Sequence, residues 1–336
     1  MMVVNVYADD LQVAIVSARS KFSKTQNVTV HVQYSNTGNK TIYIHKWCLP
    51  DNELNDPLFK ITCNGAAVNY IGRLIKRRTP TIDDVTPLAP GKTILASVGL
   101  SSAYDMSKTC NYSIQYSVST ERVVFKHAQT SKTISNESIS NFQSDLESNN
   151  IQLNAEGRPN LHHEQNDIIN VRKRAATLYS VSCSATQNSQ IISAVSSALN
   201  YARNSFNYLS MTTPSGTNRY KTWFDTYMST NWNTVKRHYQ NIQAVLNGQR
   251  IILNCGCTMS GTYAYVYPNQ PYTIYLCSVF WSAPTTGTDS KAGTLVHEIS
   301  HFTVVADTDD YVYGQTRSNS FGYEQSIESN HECRFS

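Results

Sequence analysis

Between residues 10 and 126, apolar and polar positions alternate with a period of two, as in Val28-Thr-Val-His-Val-Gln-Tyr34, Thr41-Ile-Tyr-Ile-His45 and Tyr112-Ser-Ile-Gln-Tyr-Ser-Val118. Successive side chains of a strand point to opposite faces, so such runs predict strands buried on one side and wet on the other. Turn signals at Asn36-Thr-Gly38, Asn64-Gly65 and Pro90-Gly91 separate them, which predicts a small all-β, immunoglobulin-like sandwich over residues 1–128. From about Gln129 to Asn170 the chain is polar and rich in Ser and Asn, and it then runs into Arg172-Lys173-Arg174. With little to bury, residues 129–174 are expected to form a mobile linker open to proteases.

Beyond the linker the period changes. Ile191, Ile192, Val195, Leu199 and Ala202 recur at helical spacing; Tyr220, Trp223, Phe224 and Tyr227 mark a second apolar-faced helix, and Val235, Tyr239, Ile242 and Leu246 a third. Strand-like runs follow at 251–254, 263–267 and 273–276, so residues 175–336 read as an α+β domain. A last helix is expected where Gly293-Thr-Leu-Val296 and Phe302 supply apolar positions to bury its back.

Composition narrows the class. Charged residues make up only 15% of the 336, alongside 21 Tyr and abundant Ser, Thr and Asn, which suits an extracellular protein. The net charge of +4 is mild and no basic cluster carries interleaved aromatics, so nucleic acid is not indicated. No apolar run reaches the length of a membrane span. The opening Met1-Met-Val-Val-Asn-Val-Tyr-Ala-Asp-Asp10 is too short and too acidic for a signal peptide, so an export signal is expected to have preceded it.

The last predicted helix carries His297-Glu298-Ile299-Ser300-His301. Residues four apart share a helix face, so both imidazoles can reach one metal ion while Glu298, one step round, faces the ion's open position. A zinc peptidase needs this arrangement, with Glu298 taking a proton from water and returning it to the leaving amine. Catalytic zinc uses three protein ligands. Several carboxylates are candidates for the third. Asp307 stands where the metzincin pattern has its last ligand, although Val304 replaces the glycine of that turn. Glu324 and Glu328 lie at second-helix distance, although Gly314 and Gly322 leave little room for the helix, and Asp310 is the fourth candidate.

The run Asp307-Thr308-Asp309-Asp310-Tyr311-Val312-Tyr313-Gly314 resembles the GTxxDxxYG signature of the aspzincins, the deuterolysin and peptidyl-Lys metalloendopeptidase family. Thr262-Tyr-Ala-Tyr-Val-Tyr-Pro-Asn269, Tyr275-Leu-Cys277, Phe280-Trp281, Ala283-Pro-Thr-Thr-Gly-Thr-Asp289 and Gly293-Thr-Leu-Val-His-Glu298 are similar to that family's catalytic domain. The resemblance implies a zincin-type α+β peptidase with one zinc per chain on His297, His301 and Asp310. It also implies Glu298 as base and then acid, and Tyr313 donating a hydrogen bond to the developing oxyanion. Asp307 departs from the family's Gly, and Thr308 is expected to orient the turn or a ligand. An edge strand holds the peptide substrate by main-chain pairing in zincins, and the candidate here is the run with Tyr263, Tyr265 and Tyr267. Ser329-Asn-His-Glu332 resembles a segment whose Asp and Glu line the pocket for substrate lysine. Glu332 matches the Glu, but Ser329 stands in place of the Asp, so a preference for Lys or another basic residue is only partly implied.

Eight cysteines suit export. The resemblance pairs Cys183 with Cys255 and Cys257 with Cys277. For Cys48, Cys63, Cys110 and Cys333 two arrangements stay open: a bridge from Cys333 to the N-terminal region, or one N-terminal pair and two thiols. Tyr70-Ile-Gly-Arg-Leu-Ile-Lys76, Leu88-Ala-Pro-Gly91 and Leu100-Ser-Ser-Ala-Tyr-Asp105 resemble the propeptide that precedes deuterolysin-type catalytic domains. The sandwich therefore reads as a prodomain that assists folding and inhibits its own chain, and Arg172-Lys173-Arg174 as the maturation site. The whole reads as a secreted, monomeric zymogen acting on proteins or peptides. A catalytically silent adhesion or surface-binding protein is the contrasting reading, which fold alone does not exclude.

Overall fold

The computed structural model describes residues 10–51, 53–124, 145–158, 177–224 and 227–310. The chain divides into two compact units, one of residues 1–72 and 80–161, the other of residues 73–79 and 162–336. Its elements in chain order are β1 (Leu11–Val16), β2 (Lys21–Phe22), β3 (Thr29–Asn36), β4 (Ile42–His45), β5 (Phe59–Cys63), β6 (Ala66–Ala67), β7 (Leu74–Arg77), β8 (Val85–Leu88), β9 (Thr93–Gly99), β10 (Cys110–Ser119), α1 (Thr120–Val123), β11 (Asp145–Glu147) and β12 (Ile151–Ala155). They continue with β13 (Thr177–Val181), α2 (Ala185–Met211), α3 (Asn218–Phe224), α4 (Ser229–Gly248), β14 (Arg250–Asn254), β15 (Thr262–Val266), β16 (Thr273–Leu276), α5 (Ser278–Ser282) and α6 (Lys291–Ser300).

The first unit is β-rich. Antiparallel β1-β3-β9 forms one sheet, and β2-β12-β10-β5-β6, with β11 also on β10, forms another. The alternation is realised residue by residue: β1 and β10 bury every second side chain, and Ile15, Val32, Tyr34, Tyr112, Ile114 and Tyr116 meet in one hydrophobic core. The rings of Tyr34 and Tyr116 cross edge to face at 5.6 Å, and both hydroxyls donate to the Cys48 carbonyl, at 2.9 and 3.3 Å.

Part of the expected linker proves to be structure. Ile151-Gln-Leu-Asn-Ala155 enters the second sheet between β2 and β10 and buries Leu153 and Ala155, while Leu146 of β11 joins the same core. Its polar average hid a five-residue run of period two, enough for a strand once β10 offers an edge. Residues 125–144 and 159–176, with the basic triplet, lie outside the described residues.

The second unit is α+β. Its sheet runs β13-β14-β16-β15-β7, parallel from β13 to β16 and antiparallel thereafter. The first helix is longer than the apolar spacing suggests, because Ser184 and Gln187 form a capping box ahead of it. The helix α6 starts where Ser290 Oγ accepts the Gly293 N–H at 3.1 Å. It packs against α2, α4, β15 and β16 and is buried nearly all round, so its side chains have little freedom. No helix among the described residues is long and apolar enough to cross a membrane. Disulfides join Cys183 to Cys255 and Cys257 to Cys277, as the family resemblance implied, and Cys63 to Cys110 between β5 and β10. Cys48 is buried with its thiol donating to the Arg122 carbonyl at 3.3 Å, and Cys333 lies outside the described residues.

Trp232 ties α4 to the end of α2: its indole N–H donates to the Leu209 carbonyl at 3.1 Å, and its ring stacks on Tyr220 at 5.1 Å. Its replacement by Ala opens a ring-sized cavity and orphans that carbonyl, so Trp232→Ala should lower stability by about 3–5 kcal/mol in denaturant unfolding. Trp232→Phe should lose distinctly less.

Candidate metal centre

One turn of α6 separates His297 from His301, and the fixed helix aims both rings at one point: their Nε2 atoms lie 3.0 Å apart with the rings at 88°. Beyond the helix the chain reverses. Amide groups of Ala306 and Asp307 donate to the Phe302 carbonyl, and Thr308 N–H donates to Ser300 C=O at 3.3 Å. Asp307 takes φ +52° in this reversal, the left-handed region that favours glycine and that Asp tolerates better than most residues. The turn brings Asp310 back to the histidines, with Oδ1 3.3 Å from His297 Nε2 and Oδ2 3.6 Å from His301 Nε2.

One ligand atom from each of His297, His301 and Asp310 lies within 4.8 Å of the others. Asp307, an open alternative for third ligand, is exposed and outside this cluster. Glu324, Glu328, Tyr313 and Glu332 lie outside the described residues.

Backbone and hydroxyl groups hold the cluster in register. The Thr308 carbonyl accepts from His301 Nδ1 at 2.5 Å, which places a proton on Nδ1 and turns Nε2 toward His297 and Asp310. Ser300 Oγ donates to the His297 carbonyl at 2.6 Å and, its proton spent, accepts from Thr308 Oγ1 at 2.7 Å. Thr308 thus orients the His301 ring and braces the turn that delivers Asp310.

The electrostatics are those of a buried, closely coupled set. Burial pushes His297 down to about 4; Asp310 opposes this, while the charges of Lys76 and His301 add to it. Burial would lower His301 too, but the Asp310 charge and hydrogen bond outweigh it and raise the group to about 9. For Asp310, burial raises and the two histidines lower, and the histidines win by a wide margin. Glu298 is 0% exposed, and burial raises it to about 8 although His301 and Lys76 pull the other way. Among the described residues neither of its carboxylate oxygens has a hydrogen-bond partner. Two converging imidazole nitrogens, one carboxylate oxygen and an adjacent orphaned carboxylate fit a zinc ion with three protein ligands and a neighbouring base.

The tyrosines expected to meet substrate are divided by a β-bulge. Tyr265 and Tyr267 cluster with Tyr275, the Tyr265 and Tyr275 rings stacking at 4.5 Å. Tyr263 sits at the register shift between Thr262 and Ala264, buried, with its hydroxyl raised by burial and by the charge of Asp289. The outer side of β15, expected to be free for substrate, is paired with β7. Sequence reasoning missed that pairing, since nothing in Leu74-Ile-Lys-Arg77 names a partner so far along the chain.

The aspzincin family model, described as lysine-specific metallo-endopeptidase, matches residues 209–329. An extracellular protease of Aeromonas hydrophila is 36% identical over 330 residues, covering 95% of this chain and 90% of that protein. A peptidyl-Lys metalloendopeptidase of Armillaria mellea is 32% identical over 317 residues, covering 88% of this chain and 81% of the relative. Among solved structures, a zinc peptidase from Grifola frondosa is 45% identical, with a TM-score of 0.41, and covers 44% of this chain and 88% of its own.

Zinc analysis of purified variants should show His301→Ala and Asp310→Ala depleted, affinity falling by at least about tenfold, and Asp307→Ala loaded. Depletion in Asp307→Ala with retention in Asp310→Ala would exchange their roles. Zinc also competes with the proton that Asp310 holds on His301 up to about pH 9. The group is protonated below that pH and metal binding must displace the proton, so apparent zinc affinity should climb with pH and level off above about 9. Competition against a metallochromic chelator at several pH values reads this directly.

Proposed function

The chain belongs to the aspzincin family of zinc-dependent metalloendopeptidases, and on that premise we propose that it is a secreted zymogen cutting internal peptide bonds of proteins, with one zinc on His297, His301 and Asp310 and with Glu298 as its base. The convergence of those three ligand atoms beside the buried, unpartnered Glu298 carboxylate carries this reading.

Zinc, when bound, supplies Lewis acidity that polarises a carbonyl and acidifies water. The remaining steps fall to the chain. Glu298 takes a proton from the attacking water and passes it to the leaving amine, and its burial suits both steps because a carboxylate held near pH 8 binds a proton readily and still releases it. His301, fixed by the Thr308 carbonyl, keeps its donor atom in place without reorganisation. Tyr313 is assigned the oxyanion hydrogen bond by the family signature. The outer side of β15, which β7 occupies in the uncut chain, is the candidate edge for an extended peptide once that strand gives way, with Tyr263 beside it, and Glu332 is the candidate to meet a substrate lysine. Preference for lysine is supported by the description of the family model and by the peptidyl-Lys relatives.

The β-rich first unit is assigned as an immunoglobulin-like prodomain, the chain as a monomer, and cleavage near Arg174 as the maturation step. An adhesion protein with an inert site gains nothing from a fully buried carboxylate set beside two histidines.

Glu298→Gln should keep zinc and the folded state yet lower kcat by about 10²–10⁴-fold on a quenched peptide substrate. If maturation is self-catalysed, the same variant should accumulate at its full 37.7 kDa in a protease-deficient host. Undiminished turnover would place the base elsewhere.

A further inference from the structure

The strand β7 comes from the first half of the chain, yet it is the outermost strand of the peptidase sheet. The chain leaves the first unit after Gly72, contributes residues 73–79 to the second, and returns at Pro80. Its pairing with β15 is antiparallel, Leu74 opposite Val266, Ile75 opposite Tyr265 and Lys76 opposite Ala264, and Arg78 N–H extends it by donating to Gly261 C=O at 2.9 Å. At the other end Arg73 Nε donates to Tyr267 OH at 2.8 Å and its guanidinium lies 5.2 Å from the Tyr265 ring centre. An extended segment is therefore clamped at both ends along the edge where a substrate's main chain would pair.

Lys76 is the unexpected residue of that segment. Edge strands place lysine in water, where it discourages further pairing. Here it is 8% exposed, with Nζ 5.7 Å from the Tyr263 ring centre. Residues opposite each other in an antiparallel pair project to the same face, so Lys76 follows Ala264, and the bulge brings Tyr263 round to it. Strand β15 packs on α6, and the Lys76 charge acts on both Glu298 and His297. A buried cation close to the proposed base, on a strand pairing with the proposed substrate edge, has the form of a bound substrate.

We infer that residues 73–78 are a built-in occupant of the peptide groove and that Lys76 is seated as the surrogate of a substrate lysine, which keeps the uncut chain latent. The inference rests on the peptidase reading above and adds the segment, the residue and the side-chain chemistry of the block. Tethering gives the segment an effective concentration of order millimolar, so modest contacts suffice while the chain is intact.

Binding tests this without turnover. In zinc-loaded full-length chain carrying Glu298→Gln, verified uncut by mass, a dye-labelled extended peptide with one lysine should bind weakly. The added substitutions Lys76→Met and Lys76→Glu should each tighten binding about tenfold or more, and a peptide with norleucine for lysine should gain much less. Should these variants fold poorly, acetylation of the unsubstituted chain gives a second reading: Lys76 should react far more slowly than exposed lysines, and should be unmasked when the chain is cut within 129–174 and diluted. Equal peptide binding with and without Lys76, or fast acetylation of Lys76 in the uncut chain, overturns the inference. If the cut, diluted wild-type chain still hydrolyses the peptide in that case, the peptidase reading stands alone. If the Lys76 variants bind lysine peptide but the cut chain never hydrolyses it, the lysine seat stands and the peptidase reading falls.

Discussion

Three electron-rich groups that repel or ignore one another in water must be held within 4.8 Å in a buried place, and most of the second unit follows from that demand. The chain meets it with a helix buried nearly all round, so neither imidazole can swing away, and with a reversal short enough to return Asp310 within ten residues. That reversal brings its own demands: a left-handed residue at 307, and the Ser300 and Thr308 hydroxyls in series to tie the turn to the last turn of α6. Disulfides from Cys255 and Cys257, both just past the end of β14, to Cys183 after β13 and Cys277 after β16 then brace the sheet beneath the helix.

Burial of Glu298 has a thermodynamic side. Its pKa is raised from an ordinary 4.5 to about 8, so the folded state pays for ionisation above the unfolded value, and the site opposes folding more as pH rises through that window. Asp310 acts in the opposite sense, its pKa held low by the histidines, and contributes stability that is lost only in acid. Bringing a cation to the cluster relieves the first effect and keeps the second, which couples metal loading to folding.

What the sequence shows and what it hides divides along the range of the interactions. His297 and His301 are legible because a helical period is local, and the paired faces of β1, β3 and β10 are legible for the same reason. Asp310 is not chosen by spacing, since a loop has no period; the signature around Tyr311 to Gly314 singles it out, and the turn at Asp307 explains how it arrives. The strand β12 is hidden by composition averaged over a polar stretch, although Ile151, Leu153 and Ala155 alternate within it. Nothing local reveals β7, because a strand's partner is set by tertiary structure, and Lys76 looks like any exposed lysine until Ala264 and Tyr263 stand opposite it.

The order of the chain turns this last pairing into a matter of timing. A ribosome releases Leu74–Arg77 long before Thr262–Val266, so the edge partner already exists when the last long strand of the sheet emerges. That strand need never present an open edge to other nascent chains, where unpaired edges seed aggregation. On the inference drawn above, the producing cell would be spared as well, because the strand laid along β15 is in place before the rest of the sheet and the histidine helix have been made.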